Sequence, residues 1–101
     1  MKETALCPRL AKAMELVGKR WTALIIYQLL EGPQRFNAIE SALPISGRLL
    51  SERLKELEKE GIVERKMYSE VPIRVEYSLT DKGLSLEGTV REIEKWAQNW
   101  T

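Results

Sequence analysis

Residues 43–61 constrain the fold more than any other stretch of this chain. Pro44 interrupts one short helical pattern, and Ser46 opens a longer one that runs from Gly47 to Glu60 and stops at Gly61. Proline breaks the helical hydrogen-bond ladder, serine supplies an N-cap oxygen, and glycine takes the left-handed conformation that closes a helix. With only Leu43-Pro44-Ile45-Ser46 between them, the two helices form a candidate helix-turn-helix. At about 100° per residue, Leu50, Leu54 and Leu57 fall in one narrow sector of the second helix, and that sector faces a core. The opposite sector carries Arg48, Ser51, Glu52, Lys55 and Lys59.

The remaining elements are read outward from this pair. Residues 1–6 read as a short frayed leader, and Cys7-Pro8 as a helix start, since proline suits the first helical position. Leu10, Ala13, Met14 and Val17 recur at helical spacing up to Gly18. A second helix from about Lys19 to Leu30 carries Trp21, Leu24, Ile25 and Leu29; apolar nearly all round, it reads as the hub of the core. Glu31-Gly32-Pro33 ends it, Arg35-Phe36 reads as a strand stub, and residues 37–43 as a short helix burying Ile39, Ala42 and Leu43. After Gly61 the pattern becomes strand-like: residues 62–68 and 73–79 flank a hairpin tip at Ser69-Glu70-Val71-Pro72. Thr80-Asp81 caps one last helix, on which Leu86, Val90, Ile93, Ala97 and Trp100 form an apolar stripe. The expected fold class is α+β, mainly α: a winged helix-turn-helix with an extra helix at each end, in one domain over residues 1–101.

Composition narrows the chemistry. Sixteen Lys and Arg stand against fifteen Asp and Glu, a net charge of +1, so any anion binding must come from local arrangement of charge. The absence of histidine excludes His general acid–base chemistry, Ser-His-Asp and Cys-His dyads and His-based metal sites. No glycine-rich phosphate loop or paired catalytic carboxylates replace them, so no catalytic residue, metal site or cofactor is expected. One cysteine, Cys7, forbids an intrachain disulfide and fits a reduced, cytoplasmic setting. The sequence contains neither a membrane-spanning apolar run nor, at Met1-Lys2-Glu3-Thr4, the apolar core of a signal peptide.

The outer face of the 46–60 helix is the first functional candidate. Arg48, Ser51, Glu52 and Lys55 have the length and hydrogen-bonding chemistry that reach phosphates and base edges in a major groove, and Ser46 with the N–H groups beside it could hold a phosphate. Any solvated amphipathic helix has a charged outer face too, and Glu52 and Glu56 dilute this one. The order helix, tight turn, helix, two-stranded wing is what favours double-stranded DNA. Near the wing tip, Lys66, Ser69 and Arg74 are candidates for backbone or minor-groove contact. The alternative is that Arg65 and Arg74 pair with Glu64 or Glu76 across the strands.

Cys7 and the last helix are the other two candidates. A thiol at a helix N-terminus feels the positive end of the dipole, and Lys2, Arg9 and Lys12 add positive charge; both favour the nucleophilic thiolate. Equally, a lone cysteine is often a small buried hydrophobe. The stripe Leu86, Val90, Ile93, Ala97 and Trp100, with Trp96 beside it, is more apolar surface than a monomer of this size should expose, and it points to a two-fold homodimer. Its alternative is packing within the chain, at least for Leu86 and Val90.

Taken together, Cys7-Pro8, Gly18-Lys19-Arg20-Trp21, Glu31-Gly32-Pro33-Gln34-Arg35-Phe36, Leu50-Ser51-Glu52-Arg53-Leu54, Gly61-Ile62-Val63-Glu64-Arg65 and Val71-Pro72 through Gly83 resemble the HxlR-type regulators. The resemblance runs from Cys7 to Trp96. It implies a dimeric winged-helix transcription factor with a recognition helix at 46–60, a wing around 68–74 and terminal helices in the dimer. It further implies, through the cysteine just before proline, the subset that senses quinones and other electrophiles and represses until its thiol reacts. The chain departs from the pattern in a turn one residue shorter before Ile45-Ser46, and Gly88 marks a close-packing point or kink in the last helix. A regulator answering a non-covalent ligand and a winged-helix protein-docking module are the competing functional readings.

Overall fold

The computed structural model describes residues 7–101; the leader at 1–6, with Lys2, lies outside the described residues. The chain runs α1 (Pro8–Val17), α2 (Thr22–Leu29), α3 (Phe36–Ala42), α4 (Gly47–Lys59), β1 (Val63–Tyr68), β2 (Arg74–Leu79), α5 (Asp81–Leu84) and α6 (Glu87–Trp100). It is a mainly helical fold with one small two-stranded antiparallel sheet, in which Val63 stands opposite Leu79 and Tyr68 opposite Arg74.

The helix-turn-helix forms as its turn chemistry requires. Pro44 lies between α3 and α4, Ile45 is buried in the core, and the Ser46 hydroxyl accepts from the Leu49 N–H at 3.1 Å as the N-cap of α4. At the other end Gly61 adopts φ +75°, a conformation that favours glycine, and turns the chain into β1. Leu50, Leu54 and Leu57 are all at most 1% exposed, packed with Ile25, Ile26, Leu29, Ile39, Ile62 and Val63. Helix α2 is the hub, contacting α1, α3, α6 and β2.

Several sequence expectations shift. Helix α2 starts at Thr22 instead of Lys19, because Trp21 takes the left-handed region at φ 82° and cannot continue α1's path into it. Leu24, expected in the centre, is 49% exposed, since the buried side of α2 is taken by Thr22, Ile25, Ile26 and Leu29. The strand stub falls at Gln34, which exchanges two backbone hydrogen bonds with Tyr77 (2.9 and 2.8 Å), while Phe36 already opens α3.

The single last helix is two. Tight bonds from the Leu86 N–H to the Gly83 carbonyl (3.0 Å) and from the Ser85 hydroxyl to the Lys82 carbonyl (2.5 Å) form a turn between α5 and α6. Gly83 is the close-approach position: a Cβ there would collide with the Ile62 carbonyl, so the chain passes β1 at backbone distance. Gly88, by contrast, has open space where a Cβ would stand, so it is neither a packing point nor the break.

Candidate nucleic-acid interface

Helix α4 turns its leucine seam inward and so fixes what faces solvent. Arg48 is fully extended into solvent with its side chain 92% exposed, near the Glu52 carboxylate at 3.8 Å. Lys55 and Lys59 are exposed about two and three turns beyond Arg48, and Ser51 is half-buried. At its N-terminus the Ser46 oxygen is occupied with capping α4. Arg48, Ser51, Glu52 and Lys55 thus lie on one helix, and among the described residues the loose Arg48–Glu52 pair is the one ion pair they make.

The wing departs from expectation. Arg74 is tied back into the hairpin: its guanidinium sits 4.1 Å over the Tyr68 ring and pairs with Glu70 at 2.9 Å and Glu76 at 3.1 Å. Its Nε is buried without a hydrogen-bond partner. Cross-strand register explains this, because Tyr68 and Arg74 are direct partners and Glu76 lies on the same face two residues on. In the free chain Arg74 therefore organises the wing tip through Tyr68, Glu70 and Glu76. Arg65 differs from Arg74. It is exposed and has no ion-pair partner among the described residues. Lys66 is exposed with a 3.5 Å approach to Glu64, and Ser69 is exposed at the tip.

A contact that sequence reasoning missed lies behind α4. Lys19 Nζ pairs with Glu56 at 2.9 Å, and Arg53 Nη1 approaches the same carboxylate at 3.3 Å while its Nε donates to the Arg20 carbonyl at 3.3 Å. The hydrogen bond from Lys19 is the main reason the Glu56 carboxyl is held below its ordinary value. The one available signal was the spacing of Arg53 and Glu56, a single turn apart on α4.

Cys7 is the N-cap residue of α1, with Pro8 at the first helical position and the Cys7 carbonyl accepting from Ala11 at 3.0 Å. It is exposed in the isolated chain. The stripe on α6 divides. Val90 is buried and Leu86 packs half-buried on the core, so these two serve the chain's own interior, because the start of α6 lies over α2. Ile93 (55%), Trp96 (59%) and Trp100 (74%) stay exposed, with Ala97 half-buried among them. Ala23, Leu24 and Tyr27 of α2 join Val90, Ile93 and Ala97 around an open apolar groove of about 290 Å³. At its rim the Tyr27 hydroxyl donates to Glu94 at 2.6 Å, an interaction that raises the Tyr27 pKa. Among the described residues there is no cluster of metal-ligating side chains, and no helix is long and apolar enough to cross a membrane.

A family model described as HxlR-like helix-turn-helix matches residues 16–101. A Bacillus subtilis (strain 168) protein named uncharacterized HTH-type transcriptional regulator YvaP is 57% identical over 101 residues, covering 99% of this chain and 94% of that protein. The transcriptional regulator YodB of the same organism is 46% identical over 96 residues, covering 94% of this chain and 86% of YodB. Its solved reduced form superimposes with a TM-score of 0.83 over 94% of both chains. YodB has also been solved diamide-treated (45% identity, TM-score 0.80, 96% of this chain and 97% of that one) and quinone-bound (44%, 0.80, 94% and 100%). The redox regulator HypR in its oxidized form gives a TM-score of 0.88 at 35% identity, over 94% of this chain and 98% of HypR.

Proposed function

Because the chain belongs to the HxlR-like helix-turn-helix family, whose relatives are transcriptional regulators, we propose that it is a repressor that binds operator DNA as a homodimer and lets go when Cys7 reacts. The observation that carries the DNA-binding part is α4: three leucines fully buried on one side, and Arg48, Ser51, Glu52 and Lys55 presented on the other, immediately after a tight turn and before a wing. In this reading Arg48, near the N-terminal end of the recognition helix, reads bases with Ser51, Glu52 and Lys55 in the major groove. Ser46 and the first turn of α4 sit against a phosphate, and Lys66 and Ser69 meet the backbone alongside.

The homodimer rests on the exposed Ile93, Trp96 and Trp100 around Ala97, together with the α2–α6 groove; Leu86 and Val90 support that face from inside. An isologous contact across a two-fold axis covers both copies at once and sets two recognition helices against successive major grooves, about 34 Å apart.

Cys7 is the proposed sensor. Its thiol stands exposed at the N-cap of α1, where an electrophile can reach it. A quinone is attacked at a ring carbon, forming a C–S bond and, after proton transfer, a hydroquinone thioether. A diamide-type oxidant instead takes two electrons from two Cys7 thiols, one from each protomer, and leaves a disulfide. Reduced, diamide-treated and quinone-bound forms of YodB, and an oxidized form of HypR, support reading this thiol as reactive.

The test is binding to DNA from the gene's own upstream region at physiological salt, before and after a quinone, with Cys7→Ser alongside. Tight binding lost on treatment by the native chain and kept by Cys7→Ser is expected. Release of the Cys7→Ser variant as well would remove Cys7 from the mechanism; absence of sequence-specific binding would favour the docking-module reading.

A further inference from the structure

The recognition helix is held from behind, outside its leucine seam, by polar contacts to the corner that precedes α2. The corner between α1 and α2, residues 18–21, contains Trp21, which holds φ 82°, and among the described residues it is the single non-glycine position with positive φ. A tryptophan in that region is strained and persists only where its surroundings over-determine it. Three contacts do so. Trp21 packs half-buried on the core, the Arg20 guanidinium lies 4.9 Å from its ring centroid, and the Arg20 carbonyl is caught by Arg53. Lys19, the next residue back, reaches Glu56 at 2.9 Å, and Glu56 also meets Arg53 at 3.3 Å. Arg53 and Glu56 are one turn apart on α4, so the corner grips the helix at two successive levels, behind the face that carries Arg48, Ser51 and Lys55.

We propose that Lys19, Arg53 and Glu56 are positioning residues that set the seat of the recognition helix, and that displacement of α1 reaches α4 through this corner. The inference rests on the reading of α4 as the DNA-reading helix. None of the three needs to touch a base. They act by fixing the angle at which Arg48 and Ser51 are offered, and base contacts are more sensitive to that angle than phosphate contacts, which long flexible lysines follow. The variants should therefore lose discrimination between sequences more than they lose affinity for DNA in general. The same clasp gives a shift in α1, whatever its cause, a path to the DNA-facing side that bypasses the leucine seam.

The experiment is a charge swap in the full-length protein: Lys19→Glu, Glu56→Lys and the double variant, which restores the native net charge. Each is titrated at one salt concentration with upstream DNA and with a scrambled duplex, and the ratio of the two affinities is read. An exposed ion pair changes an equilibrium by about threefold per protomer, so about tenfold for a dimer with two copies. Each single variant is expected to lose about tenfold in the ratio, and the double variant, which restores the 19–56 pair but not the one between Glu56 and Arg53, to regain part of it, while all three melt within a few degrees of the native protein. Single variants that discriminate as the native chain does overturn the inference, as does a double variant that discriminates no better than Glu56→Lys alone. A native chain without sequence preference sinks the regulator reading, and this inference with it. Arg53→Lys, which keeps a donor for the Arg20 carbonyl, is expected to retain the native ratio, whereas Arg53→Met is expected to lower it.

Discussion

Helices α4 and α6 are nearly equal in length and both strongly amphipathic, yet their apolar faces end up differently. Leu50, Leu54 and Leu57 of α4 are all at most 1% exposed, whereas α6 buries Val90 and leaves Ile93, Trp96 and Trp100 more than half exposed. The first helix follows α6, with Leu10 and Met14 also more than half exposed and no fully buried residue. The difference separates two jobs. The central helix-turn-helix completes its core within one chain, while the terminal helices offer apolar surface that a small domain cannot cover by itself.

That contrast can be broken at either end. The largest effect is expected from Leu54→Ala, which empties a fully enclosed site and should cost about 2–5 kcal/mol in denaturant unfolding. The paired change Trp96→Ser and Trp100→Ser should instead leave the fold of each protomer intact and shift sedimentation to the monomer, with a loss of about 2 kcal/mol or more of association energy if these are the central interface anchors. A native protein that sediments as a monomer at micromolar concentration would remove the second half of the comparison.

On the DNA side, Arg48→Ala is expected to weaken binding to upstream DNA by about 1–3 kcal/mol if the residue reads a base. Arg74→Gln should leave the salt dependence of binding unchanged, because Arg74 is already paired with Glu70 and Glu76. A fall of about one in the salt slope for Arg74→Gln would mean that it reaches a phosphate after all. Ser46→Ala removes the N-cap of α4 and should cost about 1 kcal/mol of stability, measured as a shift in the denaturant midpoint.

The smallest effect concerns pH. Glu56 has a lowered pKa in the folded chain, through its hydrogen bond from Lys19 first and the charges of Lys19 and Arg53 besides. A carboxylate depressed by folding contributes stability that is fully present above its unfolded pKa and is lost as pH falls through the folded value. The stability difference between the native chain and Glu56→Gln should therefore be constant near neutrality and vanish below the ordinary glutamate range; a difference unchanged at acid pH would contradict the pairing.

Local chemistry made much of this architecture legible in the sequence. The Ser46 cap, the leucine spacing on α4, the Gly61 stop and the two β-rich runs each specify an element through its immediate neighbours. What stayed hidden depends on tertiary placement. The left-handed Trp21 is set by the corner's grip on α4, and no local pattern announces a tryptophan in that conformation. The division of the last helix at Ser85 and Leu86 follows from Gly83 passing the Ile62 carbonyl, which depends on where β1 lies. For Arg74, pairing with Glu70 and Glu76 under the Tyr68 ring depends on the cross-strand register, which the sequence leaves open. Leu24 looked like core because α2 is apolar all round; which side is buried depends on the helices packed against it.

A footprint tests the self-contained helix-turn-helix and the uncovered terminal helices together. Hydroxyl-radical protection of the upstream region by the reduced native protein should show two protected half-sites whose centres lie about 34 Å apart, one helical turn, related by approximate two-fold symmetry. A single protected half-site, or protection without regard to sequence, would contradict it.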